Sequence, residues 1–182
     1  YEQLLETHPE NVGRVTLLQI APLSRTDVQA YARIRRNLEQ SSGRTNGRFG
    51  EADWTPIRYL NRNYRQSVLM GFLRAAHVGL VTPVRDGMNL VAKEFVAAQD
   101  AADPGVLVLS TMAGAAREMT SAILVNPYDA RAMAHAMQAA VNMPLTERRD
   151  RHLALLEVLR RNDIHAWHRR FLAALESPSA PA

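Results

Sequence analysis

Short apolar runs alternate along the chain with longer amphipathic stretches. Val15-Thr16-Leu17-Leu18-Gln19-Ile20 is compact, partly β-branched and closed by Pro22, the pattern of a buried strand. Similar runs stand at 57–60, at 78–81 before Pro83, at 106–109 and at 122–125. Between them the 3.6-residue period predicts helices over about 26–40, 67–76 and 89–99, with a short one at 115–119. Val28, Tyr31, Ile34 and Leu38 form the inner face of the first, and Val68, Leu69, Phe72 and Leu73 that of the second. Ser24 with Asp27 three residues on resembles a capping box in which Asp replaces Glu. Gly43, Gly47 and Gly50 are expected to break up the segment after that helix.

The two ends read differently. Residues 1–8 look like the tail of an amphipathic helix stopped by Pro9 and Gly13, a helix already under way, which suggests that the chain begins inside a larger protein. After Pro127 three helices are expected, at 129–142, 145–161 and 163–175, with 177–182 as a frayed tail. Strands alternating with helices predict an α/β fold, a Rossmann-like parallel sheet with helices on both faces followed by C-terminal helices. Such sheets bind ligands beyond the carboxyl ends of their strands. The turns at 21–26, 61–66, 82–90 and 110–115 are therefore where chemistry belongs.

The turn from Thr82 to Glu94 is the most informative. Gly87 is expected to let the backbone turn tightly and approach a ligand. The amides of 88–91 would then face outward at a helix start, an anion site made of unpaired N–H groups and the helix dipole. Glu94, one turn further in, is placed to accept hydrogen bonds from a diol such as a ribose. The alternative is purely structural: Asp86 or Asn89 caps a helix, and Glu94 pairs with Lys93 or faces solvent. Arg25 follows a strand end, where a guanidinium can grip phosphate in a bidentate way. It is otherwise an exposed first-turn arginine, an unfavourable place beside the positive helix end. The small-residue turn 112–116 allows either close backbone packing or ligand contact.

Composition narrows the field. The chain has 182 residues, 47% hydrophobic and 22% charged. That suits one folded domain at roughly 150 residues per domain and excludes wholesale disorder. It has no cysteine, so disulfides, thiolate metal sites and thiol nucleophiles are excluded. The six histidines form no tight ligand spacing, and His165 and His168 read as surface or packing residues. The net charge is +4, with 21 arginines and one lysine, Lys93. Arg pairs beside acids read as solvated helix faces rather than one basic stripe, so no nucleic-acid partner is expected. The modest positive balance still suits an anionic ligand. No run approaches the ~20 apolar residues of a membrane span. No P-loop motif is present, and no Ser/His/Asp set is placed for acyl transfer.

Together the turns resemble those of the trehalose-6-phosphate synthases. The matching stretches are 18–25 (LQIAPLSR), 46–50 (NGRFG), 54–60 (WTPIRYL), 78–83 (VGLVTP), 85–99, 103–110 (DPGVLVLS) and 125–129 (VNPYD). The likeness runs from about residue 1 to about 175, and the stretch from Asp86 to Glu94 is its most specific part. The resemblance implies a GT-B architecture of which residues 1–176 are the carboxyl-terminal, donor-binding half. It implies retaining transfer of glucose from a nucleotide sugar, UDP-glucose foremost, to glucose 6-phosphate, in the cytoplasm. Neither metal nor cofactor is implied, and a homo-oligomer of the full-length enzyme is. Residue by residue, it implies that Arg25 contacts phosphate and that Tyr64 lies near the nucleobase. Asp86 would hold the transferred sugar's hydroxyls beside the amides of Gly87, Met88 and Asn89. Leu90 and Val91 would meet the diphosphate, and the site would continue through Ala92 and Lys93 to Glu94 on the ribose.

Some of the family pattern has no counterpart here. An upstream Arg and Lys that face the donor diphosphate are not matched, nor are a first β/α unit and the amino-terminal domain that supplies most glucose 6-phosphate contacts. The isolated chain is therefore expected to bind donor weakly and to transfer nothing. His77 and Met112, where relatives often carry Asp and an aromatic, are expected to be packing changes. The alternative to an enzyme is a non-catalytic regulatory or interaction module of the same fold, whose mark would be a degraded ligand turn.

Overall fold

A computed structural model describes residues 1–22 and 29–176. In chain order its elements are α1 (Glu2–Thr7), β1 (Leu17–Ile20), α2 (Gln29–Phe49), β2 (Ile57–Leu60), α3 (Gln66–Ala75), β3 (Val78–Val81), α4 (Leu90–Ala98), β4 (Val106–Ser110), β5 (Ile123–Val125), α5 (Ala130–Val141), α6 (Leu145–Arg161) and α7 (Ile164–Glu176). One-turn 3-10 helices lie at Pro9–Asn11 and Gly114–Arg117. The second takes the place of the short α-helix expected at 115–119.

Every strand pairing is parallel, as the alternation of strands and helices requires. Val78 faces Val106 and Leu80 faces Val108, while Val108 and Ser110 face Ile123 and Val125. β4 is the central strand and is buried along its whole length. Its side chains alternate between two cores. Leu107 and Leu109 pack with Ala92, Phe95 and Val96 of α4 and Leu155 of α6. Val106 and Val108 pack on the other face with Ala136 and Ala140 of α5. The near-continuous apolar strand with helices on both faces is thus present. Full burial of one such Val, Leu or Phe side chain stabilises by roughly 1.5–3 kcal/mol. Gly79 lets α4 sit close to β3, because a Cβ there would lie 2.7 Å from the Phe95 ring.

The single sheet expected from the pattern is divided. Among the described residues β1 and β2 pair only with each other, Leu17 opposite Ile57, and β3–β4–β5 form a second sheet. Between the free edges of β1 and β3 runs a groove of about 440 Å³, lined by Leu4, Val15, Leu17, Val78, Leu80 and Met137 among others.

α2 also departs from expectation. It continues to Phe49 through Gly43 and Gly47, at neither of which a Cβ would meet any atom within 4 Å. Its second half is held from outside. Arg44 and Arg48 pair with Glu2, and Arg48 also with Glu6, while Ser42 and Thr45 are buried. The helix thus runs through two glycines, each about 1 kcal/mol less favourable in a helix than alanine, with these contacts along its second half. Asn46 bonds both the N–H and the carbonyl of Ile57 (2.8 and 2.9 Å), tying the helix end to the start of β2. Tyr31 and Ile34, expected inward, are exposed. The expected start of this helix at Ser24, with Asp27 and Val28, lies outside the described residues, as does the tail 177–182. His77 and Met112 are exposed rather than packed. No helix among the described residues is long and apolar enough to cross a membrane.

Candidate functional site

β3 ends at Val81, and residues 82–89 then cross the carboxyl edge of the three-stranded sheet to the start of α4. This is the place the fold reserves for ligands. Asp86 organises the turn. Its Oδ1 accepts from the Met88 N–H (3.1 Å), and its Oδ2 accepts from the Asn89 side-chain amide (2.9 Å). Asn89 caps α4, its Oδ1 accepting from the Ala92 N–H at 2.9 Å. The structural alternative is therefore partly realised: two amides at the head of the helix are taken by the protein's own side chains.

The rest of the helix head is open. No carbonyl or side chain among the described residues takes the Leu90 or Val91 N–H group. Both residues are exposed, so these nitrogens present the positive end of α4 to incoming anions. Val84, Met88, Leu90, Val91 and Met112 leave an exposed apolar collar around the polar turn. Apolar walls with a few convergent polar groups characterise ligand sites.

Of the two roles expected of Gly87, the left-handed bend of the turn falls to another residue. The left-handed backbone in this turn belongs to Asn89 (φ 76°, ψ 92°), not to the glycine. A Cβ on Gly87 would meet nothing within 4 Å, so its exposed face stands clear for close approach by a ligand.

Glu94 is half-buried one turn into α4. Its neighbour Lys93 is committed elsewhere, to Glu118 at 2.5 Å. Glu118 also accepts from the Asn162 amide at 2.9 Å. The Lys93–Glu94 pair offered as the structural alternative does not form, and Glu94 has no ion-pair partner among the described residues. Ala92 is wholly buried, so within the expected site it contributes packing and a capped amide rather than a side chain at the surface.

Tyr64 lies in the β2–α3 turn, also beyond a strand's carboxyl end. Its ring packs edge-on against Phe72 at 5.4 Å, with Arg62 4.7 Å over its face. Arg62 Nε also donates to the phenol oxygen at 2.7 Å. Arg25 falls in 23–28, outside the described residues.

The 112–116 turn, for which the sequence allows two roles, is strapped to the 86–88 turn. Asp86 N–H donates to Met112 O (3.3 Å), Gly114 N–H to Asp86 O (3.0 Å), and Ala115 N–H to Met88 O (2.8 Å). The small residues around Gly114 are the signal for this contact. Its partner lies more than twenty positions away in the chain and has no local signature.

The profile of glycosyltransferase family 20 matches residues 1–177. The trehalose-6-phosphate synthase of Enterobacter sp. (strain 638) is 57% identical over 176 residues, covering 97% of this chain and 37% of its own length. Among solved structures, one from E. coli bound with UDP-2-fluoro glucose superposes with a TM-score of 0.95 at 53% identity, covering 98% of this chain and 40% of that one. An α,α-trehalose-phosphate synthase (UDP-forming) from Burkholderia xenovorans in complex with glucose-6-phosphate gives 0.94 at 52% identity, covering 97% and 39%. The chain thus spans about two fifths of the length of these relatives, and its α/β architecture with parallel sheets superposes on the matching part of their GT-B fold.

Proposed function

This chain belongs to glycosyltransferase family 20, and from that premise we propose that it is the donor-binding part of a retaining enzyme that transfers glucose from UDP-glucose to glucose 6-phosphate. The main support is the pair of peptide nitrogens, Leu90 and Val91, left open among the described residues, with Glu94 one turn behind them. Departure of a nucleoside diphosphate concentrates negative charge on its oxygens. Fixed amides at a helix head stabilise that charge with no reorganisation at the moment of transfer. In this reading Leu90 and Val91 hold the diphosphate and Glu94 accepts from the ribose hydroxyls. Asp86, fixed in place by two donors, orients the sugar beside Gly87, Met88 and Asn89. Arg25 adds a phosphate contact and Tyr64 lies toward the base. The UDP-2-fluoro glucose in the E. coli neighbour and the glucose-6-phosphate in the B. xenovorans neighbour favour these two substrates. A nucleotide-sugar donor also favours the cytoplasm.

The groove between β1 and β3 supports the same reading of the chain as one part of a longer enzyme. Two parallel strands whose unpaired edges border a groove lined by Leu4, Val15, Leu80 and Met137, with polar Asn11, Arg14 and His77 also in its lining, suit insertion of one more parallel strand, which would join the two sheets into one. Acceptor binding then falls to a domain beyond these residues.

Calorimetric titration of the full-length protein with UDP-glucose tests the site. Glu94→Gln removes a charged acceptor, and hydrogen bonds to charged groups are worth about 1.5–3 kcal/mol, so the affinity is expected to fall roughly ten- to hundredfold. An unchanged affinity removes Glu94 from the site. The 182-residue chain alone is expected to bind weakly and to form no product. Micromolar affinity, or any turnover of glucose 6-phosphate, by that chain overturns the two-part reading.

A further inference from the structure

The 86–88 turn is held from behind by main-chain atoms of the 112–115 turn, and one residue sets how closely the two approach. Gly114 has no left-handed backbone that would demand glycine. What demands it is space. A Cβ at 114 would lie 2.0 Å from the Gly87 carbonyl oxygen and 2.7 Å from its carbonyl carbon. Real carbon–oxygen contacts begin beyond about 3 Å, so any side chain at 114 must drive the turns apart by about 1 Å.

Which of the two turns would yield depends on burial. Ala113, Ala115 and Ala116 are buried in the core under β4, together with Met119. The buried residues at 113, 115 and 116 have little room to retreat. Gly87 and Met88, in contrast, are exposed, and nothing lies within 4 Å of the open face of Gly87. A side chain at 114 would therefore push the Asp86–Met88 turn outward, away from the 113–116 residues. The head of α4 is anchored by Ala92, Phe95 and Val96 in the core and by Gly79 against Phe95. The two halves of the proposed site thus differ in their nearest support: the packing of α4 holds Leu90, Val91 and Glu94, while the 112–115 strap holds the main chain of Asp86 and Met88, and Asn89 joins the two through Asp86 and the Ala92 N–H.

We infer that Gly114 is a positioning residue for the sugar end of the donor, setting the height of the Asp86–Met88 turn and acting on the nucleotide end only weakly, through Asn89. This rests on the proposed donor site and adds a residue that touches no substrate. A displacement of about 1 Å at a reacting centre costs on the order of a hundredfold in rate. Nucleotide affinity depends mainly on the packing of α4 and changes much less.

The test compares wild type with Gly114→Ala in the full-length protein, reading UDP affinity, UDP-glucose affinity and glucose transfer. The expected result is UDP affinity within about twofold of wild type, with transfer from UDP-glucose reduced on the order of a hundredfold. Equal loss of UDP and UDP-glucose binding would mean general damage, and no loss of either binding or transfer would mean that the strap is immaterial; each overturns the inference. Failure of the wild-type protein to bind UDP would instead overturn the donor site itself. Should the variant not fold, amide exchange on wild type gives the answer. The Gly114 and Ala115 N–H groups, bonded to Asp86 and Met88, are expected to slow when UDP-glucose is added and not when UDP is added. Identical protection by both ligands refutes the inference.

Discussion

Asn89 carries three constraints on one side chain and one backbone angle. It holds a positive φ, caps Ala92 and donates to Asp86. Replacing a cap of this type by alanine costs about 0.5–2 kcal/mol, and by glycine only a few tenths. Alanine also resists positive φ, whereas glycine accepts it. Asn89→Ala is therefore expected to lower the thermal midpoint clearly and Asn89→Gly to lower it less. Both are expected to weaken UDP-glucose binding, because both release one oxygen of Asp86. Melting curves and titration of the two variants side by side check the order. Had Gly87 supplied the left-handed residue, as its type suggests, Asn89→Ala would cost only the cap. The residue identities in 86–94 are thus enough to locate the turn. Which of them bends the chain depends on the hydrogen bonds between Asp86 and Asn89, and residue preferences alone do not decide it.

At the scale of elements, the site depends on how near α4 lies to β3. Gly79 and Phe95 are in contact there, and a methyl group added at 79 meets the ring at 2.7 Å. Overpacking a core costs about 1–3 kcal/mol, so Gly79→Ala is expected to lower the midpoint of thermal unfolding. Adding Phe95→Leu frees space and is expected to restore part of the loss; a purely additive double variant would show that the two positions do not share the strain. The strands are legible in the sequence because β3, β4 and β5 are short apolar runs closed by proline or turn residues. β4 is the clearest, since both its faces are covered. α2 is not legible to its end: past Gly43 it meets Glu2 and Glu6, some forty residues upstream, through Arg44 and Arg48, and buries Ser42 and Thr45. Local propensity contains nothing about that meeting. The same limit hides the strap from 112–115 to 86–88, since only the fold brings those carbonyls and amides together.

For the whole molecule, the division into two sheets predicts uneven stability. β4 is bonded on both sides and buried throughout, while β1 and β2 have only each other and half-buried side chains. Local opening is easiest where few apolar contacts cover the backbone. In the 182-residue chain, amide exchange is expected to be slowest in Val106–Ser110 and faster in Leu17–Ile20. In the full-length protein, a strand seated in the groove is expected to slow Leu17–Ile20 strongly and leave Val106–Ser110 nearly unchanged. Equal rates for Leu17–Ile20 in the two proteins would argue against such a strand.

The salt bridge between Lys93 and Glu118 has a practical side. With one lysine in 182 residues, this stretch of polypeptide offers a single side-chain amine to acylating reagents, and it sits on the very helix whose head faces the proposed diphosphate. Acylation there would neutralise the ammonium and release Glu118, so a dye or crosslinker on Lys93 would report from beside the head of α4 at the cost of that ion pair.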